Sequence, residues 1–393
     1  MNRIFALRAL AAGLAFVASL AAQHPAGGLL VTSRNTDQVL LYDASGAFVR
    51  VFAQGGGLDN PVGLTFGPDG ALYVVSANTN QVLRYDGASG GFTGVFASGL
   101  NGPRNLGFGP DGELWVCNAG TNSVLRFDGR SGAFSGVAAQ DPALRTPTSF
   151  TFGPTGDLFV GNVADSRVHR FERGTGRSLG IFASQGIAGA HDVAFGPDGA
   201  MYVSNAFGFP SIVRFDGRTG APLGAFVNDT AMTFPLGLTW GNDGDLYVAN
   251  QGGHSVRRYD GRSGVLLAVH VLPRSGGLDA PLFCAFVPAT ALVVPPPRPG
   301  TAGTSNLFGV SGATPGAITV LVLGGLPGSF ALPCPGLALS MQNPIVLDFA
   351  GADEGGNLFV RIPVPAVVAG VPFLFQAVDF GRCAASPLLN WRF

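Results

Sequence analysis

The sequence predicts an all-β chain, a six-bladed β-propeller followed by a small C-terminal β-sandwich. Three observations carry that reading: one repeat present six times, turns that make its strands antiparallel neighbours, and a repeat phase that lets the last strand join the first sheet. Copies start at Leu29, Ala71, Glu113, Asp157, Ala200 and Asp245, spaced by 42 to 45 residues. A fixed period of this length marks an array of one supersecondary unit. Each copy holds four strand-length runs, lettered here by type as a (GLTF), b (LYVV), c (VLRYD) and d (FTGVF).

The turns specify the pairing. GPDG separates a from b at residues 67–70, 109–112 and 196–199, where Pro presets φ, Asp favours the turn and Gly accepts positive φ. DGxSG or DGxTG separates c from d, as at residues 86–90 and 216–220, which is hairpin chemistry. Runs such as LYVV do not alternate cleanly, so both faces of each sheet need cover, and radial stacking of the sheets supplies it. The series begins on a type-b strand at Leu29 and ends on a type-a strand at residues 281–287. The final a strand therefore completes the sheet opened by the first b, c and d. An open array would need capping repeats, and none is visible.

Outside the repeats, residues 1–21 place Arg3 and Arg8 ahead of a short apolar run that ends in small residues, among them Ser19 and Ala21. That is the pattern of a secretory signal, and the run is shorter than the roughly 20 residues a membrane-spanning helix needs. The expectation is a secreted or periplasmic protein without a membrane span. Residues 22–28 form a linker, 29–289 the propeller, 290–300 a Pro-rich spacer and 301–393 the sandwich module, whose short apolar runs are broken by Gly and Pro. Cys334 and Cys383 share that module and are expected to pair as a disulfide, whereas Cys117 and Cys284 fall on buried strand positions as small apolar fillers.

Composition removes several functions. Charged residues make up 12% of the chain and the net charge is -1, so the basic footprint of a nucleic-acid binder is missing. All 23 basic residues are Arg, and without Lys neither Schiff-base chemistry nor a P-loop is possible. No HExxH or CxxC motif is present, and no cofactor or metal site is expected.

Strands a and c run toward the face that carries the uniform turns. The d–a and b–c loops differ from copy to copy and occupy the other face, to which function is assigned. Two positions per copy point to the central mouth of that face. The first is the start of strand a: Val62, Arg104, Thr148, His191, Leu236 and Leu282, followed by Gly63, Asn105, Ser149, Asp192, Gly237 and Phe283. Three consecutive copies offer polar groups there and three offer apolar ones. The second is the end of strand b, with Asn118, Asn162, Asn205 and Asn250 after Ser33 and Ser76, read either as caps of the b–c loop or as a ring contacting a ligand.

The repeat GLTFGPDGALYVV with VLRYDG resembles the NHL repeat and, more broadly, the six-bladed superfamily of SMP-30/gluconolactonase-like enzymes and virginiamycin B lyase-type proteins. The resemblance covers residues 29–289 and implies the fold. In the SMP-30-like enzymes, carboxylate and Asn side chains in P-N-G and P-D-G motifs at the start of strand a hold a divalent metal. Of the six residues here only His191 could serve as a ligand, and Arg104 would repel a cation. The lyases resemble AHDVAFGPDG around His191 but also need a second His and a Glu nearby.

One cluster remains. His191, Asp192, Phe207, Phe209, Phe234 and His254 should meet on one sector of the variable face, where the b–c loop AFGFP is one residue longer than the others. Aromatics beside polar groups suit a small-molecule or glycan ligand, and the same phenylalanines could equally plug the gap between two blades. With Arg104, Asn105 and Thr148 these residues form the expected ligand site. The expected function is binding or scaffolding of a protein, glycan or small molecule; the alternative is a hydrolase or lyase using the channel mouth. Arg84, Arg126, Arg170, Arg214 and Arg258 recur on strand c and are expected to lie over neighbouring blades.

Overall fold

The computed structural model describes residues 27–109 and 111–288, and beyond them only the backbone of strands between Ser305 and Arg392. The described residues form six four-stranded antiparallel sheets. Blade 1 is the closing blade: strands b, c and d (Leu29–Ser33, Gln38–Tyr42, Phe48–Gln54) are completed by strand a from the other end of the repeats, Pro281–Phe286. Leu29 pairs with Phe286, Leu30 with Ala285 and Val31 with Cys284, and the Val287 N–H donates to the Gly28 carbonyl at 2.8 Å. Blades 2 to 6 each run a-b-c-d in order, with innermost strands Pro61–Phe66, Pro103–Phe108, Pro147–Phe152, Ala190–Phe195 and Pro235–Trp240.

Packing between blades repeats one device. The second residue of strand b is aromatic in five blades, and its ring meets edge-on the aromatic that ends strand a of the next blade: Tyr73 with Phe108, Trp115 with Phe152, Phe159 with Phe195, Tyr202 with Trp240, Tyr247 with Phe286. Such pairs contribute about 0.5–1.5 kcal/mol each beyond the area they bury. The strand-c arginines correct the expectation made for them. Each lies over the aromatic of its own blade rather than a neighbour's, as Arg170 does over Phe159, and each pairs with an acid of its own a–b turn or adjoining strand b, as Arg170 does with Asp157 at 2.6 Å.

The uniform turns interlock by close backbone approach. A Cβ on Gly87 of the DGxSG turn would overlap the carbonyl of Gly70, the last residue of GPDG in the same blade, so glycine is needed there for contact rather than for its dihedral freedom.

In the C-terminal part, Ser305–Val310 pairs with Leu358–Pro363, and Ile318–Gly324 pairs with both Ile345–Gly351 and Pro372–Asp379. The sandwich arrangement, the Cys334–Cys383 disulfide and the signal segment 1–21 lie outside the described residues. Cys117 and Cys284 are buried, in different core clusters. Among the described residues no helix is long and apolar enough to cross a membrane.

Candidate functional site

Each innermost strand carries a register irregularity just after its first residue, for example between Pro103 and Leu106 and between Ala190 and Val193. A bulge re-aims side chains, and here it sends consecutive residues to different places. Val62, Leu236 and Leu282, from the three consecutive blades 6, 1 and 2, join one apolar cluster with Phe234 and Phe283. Arg104, Thr148 and His191 supply the other half of the ring from blades 3, 4 and 5.

Behind that rim runs a buried polar chain. Asn105 donates through Nδ2 to Ser149 Oγ at 3.2 Å; Ser149 donates to the Asp192 carboxylate; and Asp192 Oδ2 accepts the Leu238 N–H at 2.6 Å. Four consecutive blades are thereby linked through one carboxylate, which also accepts the Val193 N–H at 2.9 Å. Burial raises the Asp192 pKa to about 6 against the opposing pull of these donors. Thr148 is buried too, donating to the Ala190 carbonyl at 3.0 Å. Asn105, Thr148 and Asp192 thus hold blades together.

The end-of-strand-b residues act as caps with a longer reach than expected. Asn118, Asn162, Asn205 and Asn250 are buried, and each accepts the N–H of a residue in the d–a loop of its own blade: Asn101, Arg145, Ala188 and Thr233, at 2.7–3.0 Å. Asn118 also donates to Thr121 of the b–c loop.

A second set of bonds stitches neighbouring blades on the variable face. The last residue of the b–c loop has positive φ, as does the residue just before the next blade's strand a. The side chain of the former accepts the N–H of the latter: Asp37 from Asn60, Asn80 from Gly102, Asn122 from Thr146, Ser166 from Gly189, His254 from Ala280. His254 therefore belongs to the joint between blades 6 and 1, where it also contacts Asp279 at 2.9 Å and Arg274 at 3.2 Å.

At the joint between blades 5 and 6 this stitch is replaced. The loop there is AFGFP, and Gly208 has no side chain with which to reach Phe234. Instead the rings of His191, Phe207 and Phe234 form a triangle with centroid separations of 5.5, 5.8 and 5.5 Å. Phe234 holds its place with φ 57°, a conformation that a bulky side chain rarely adopts. Phe207 remains 44% exposed; Phe209 is 92% exposed and stands apart from the triangle. Phe209 borders a shallow depression of ≈ 550 Å³ with Gln185, Val213 and Pro222, on the outer half of blade 5.

His191 Nε2 and Arg104 Nε are buried without a hydrogen-bond partner. Burial, and then the charge on Arg104, lower the His191 pKa to about 4, so its imidazole is neutral near pH 7. Arg34, in the b–c loop of blade 1, adds a second positive field at Arg104. Arg34 was not foreseen. Neither was the stitch, although its signal was present in the polar residue that ends the b–c loop of every copy except AFGFP.

These residues do not fit the metal site of the SMP-30-like enzymes. The carboxylate beside His191 faces the polar chain, and a guanidinium stands where a ligand would be needed. Among the described residues no three His, Cys, Asp or Glu side chains come together as a metal set.

The fold defines the class, a six-bladed β-propeller with a composite polar and apolar mouth. No family model matches the chain, and no curated protein matches it. It is similar in fold to a structure described as a nidogen/laminin complex, at 13% identity and TM-score 0.55, over 66% of this chain and 98% of that one. A virginiamycin B lyase from Staphylococcus aureus, solved with quinupristin, gives 20% identity and TM-score 0.46 over 64% and 76%. A gluconolactonase from Xanthomonas campestris gives 18% and 0.48 over 63% and 85%. Likeness at these identities concerns the fold alone.

Proposed function

We propose that the chain is an exported binding propeller that takes its ligand at the mouth of the variable face, against His191, Phe207 and Phe234. The observation that supports this most directly is the aromatic triangle: at the one joint without the polar stitch, a half-exposed Phe and a neutral histidine with an unpartnered Nε2 stand together beside the axis. Flat apolar walls with a single polar handle suit a small molecule, a glycan or an inserted protein side chain. One structure of the same fold was solved as a nidogen/laminin complex, so the fold is compatible with holding a protein partner. The lyase or hydrolase alternative would need His191 to act with a second group, and Asp192, next in sequence, is engaged by Ser149, Val193 and Leu238 instead.

The test is a thermal-shift screen of glycans and small molecules on the wild type and on His191→Ala, Phe207→Ala and His254→Gly. Stabilising hits should be lost in the first two variants and kept in the third. If every hit survives His191→Ala and Phe207→Ala, this sector is not the binding site.

A further inference from the structure

Arg104 stands apart from the other arginines that are buried or half-buried among the described residues. The six on strand c each hold a carboxylate, Arg257 taking Asp229 at 2.6 Å. Arg50 donates to the Ser89 carbonyl at 2.9 Å. Arg104 makes no hydrogen bond or ion pair with a described residue, and its Nε is buried. Arg34 brings a like charge toward it, and burial and that charge are what act on its guanidinium. A guanidinium taken partly out of water and left unpaired is costly, and a carboxylate in bidentate contact offsets that cost. Burial, and then the charge on Arg104, hold His191 neutral, so the second polar group of the mouth does not compete with a ligand anion for Arg104.

We infer that the ligand of this mouth carries a carboxylate, which pairs with Arg104, and an apolar body that lies against Phe207 and Phe234. The inference rests on the reading of the mouth as the binding site. It narrows the ligand to small aromatic or aliphatic acids, or to a peptide presenting an acidic side chain beside an apolar one.

The experiment compares phenylacetate with phenylacetamide, which share a shape and differ in charge, by calorimetric titration of the wild type, Arg104→Gln and Phe207→Ala. Phenylacetate should bind the wild type at least ~10-fold tighter than the amide, a difference of about 1.4 kcal/mol. Arg104→Gln should bring the two within about twofold of each other, and Phe207→Ala should weaken both. Equal binding of acid and amide to the wild type, with both lost in Phe207→Ala, would overturn the carboxylate and leave the site standing. A preference for the acid that persists in Arg104→Gln would overturn the role of Arg104. Binding of neither probe would overturn this inference, while the wider screen would still decide the site. Because Arg104 has no side-chain partner among the described residues, Gln should be accommodated; should the variant fail to fold, the acid-to-amide ratio on the wild type decides.

Discussion

The backbone N–H of Leu238 donates to the carboxylate of Asp192 at 2.6 Å across the joint between blades 5 and 6, the joint that lacks the side-chain stitch found at the others. A buried charge thus helps secure the joint whose rim is given over to exposed aromatics, and its titration should be readable in stability.

Asp192 has its folded pKa raised from 3.8 to about 6. The native state therefore binds a proton that the unfolded chain has already released between those values, and stability should fall as pH rises through that window, by up to ~3 kcal/mol. Asp192→Asn keeps one of the two acceptor oxygens and removes the titration. Its stability relative to the wild type, from urea unfolding at pH 4 and pH 7, should improve toward pH 7. A constant difference between the two pH values would show that Asp192 does not titrate in the fold as its burial requires.

His191 should titrate near pH 4 in the native protein, well below its ordinary 6.5, because it is buried and faces the charge of Arg104. The C2 proton resonance followed by NMR gives the midpoint directly. Arg104→Gln should raise that midpoint while leaving it below 6.5, since burial is the larger cause. No change in Arg104→Gln would mean that the two side chains are not within electrostatic reach.

The stitches should contribute individually modest amounts. Asn122→Gly preserves the positive φ and removes only the acceptor for the Thr146 N–H, and should cost roughly 0.5–1.5 kcal/mol. Asn122→Ala adds the penalty of a left-handed Ala and should cost more. His254→Gly should behave like Asn122→Gly, with an added loss from its contacts to Asp279 and Arg274. Denaturation midpoints check the order; an Ala variant as stable as the Gly variant would remove the conformational part of the argument.

The ring was legible because it is a matter of period and turn chemistry. GPDG and DGxSG fix hairpins locally, and a series that opens on strand b and finishes on strand a leaves one sheet to be completed by both ends. Leu29 opposite Phe286 follows from that phase. The rim split was legible for the same reason, since Val62, Leu236 and Leu282 stand at one repeat position with Arg104, Thr148 and His191.

Grouping by loop did not settle which side chains meet. His254 sits one joint away from His191, because its αL backbone turns the imidazole toward Ala280. Phe209, two residues from Phe207, faces solvent. By itself the sequence determined the number of blades, how they close and which face varies, because these depend on repeat length, turn residues and phase. Only the tertiary structure decided that Asp192 turns inward, that Arg104 pairs with no acid among the described residues and that His191 rests between two phenylalanines. A bulge after the first residue of each inner strand sends neighbouring side chains apart, and the partners that then receive them come from other blades, some 40 or more residues away in the chain.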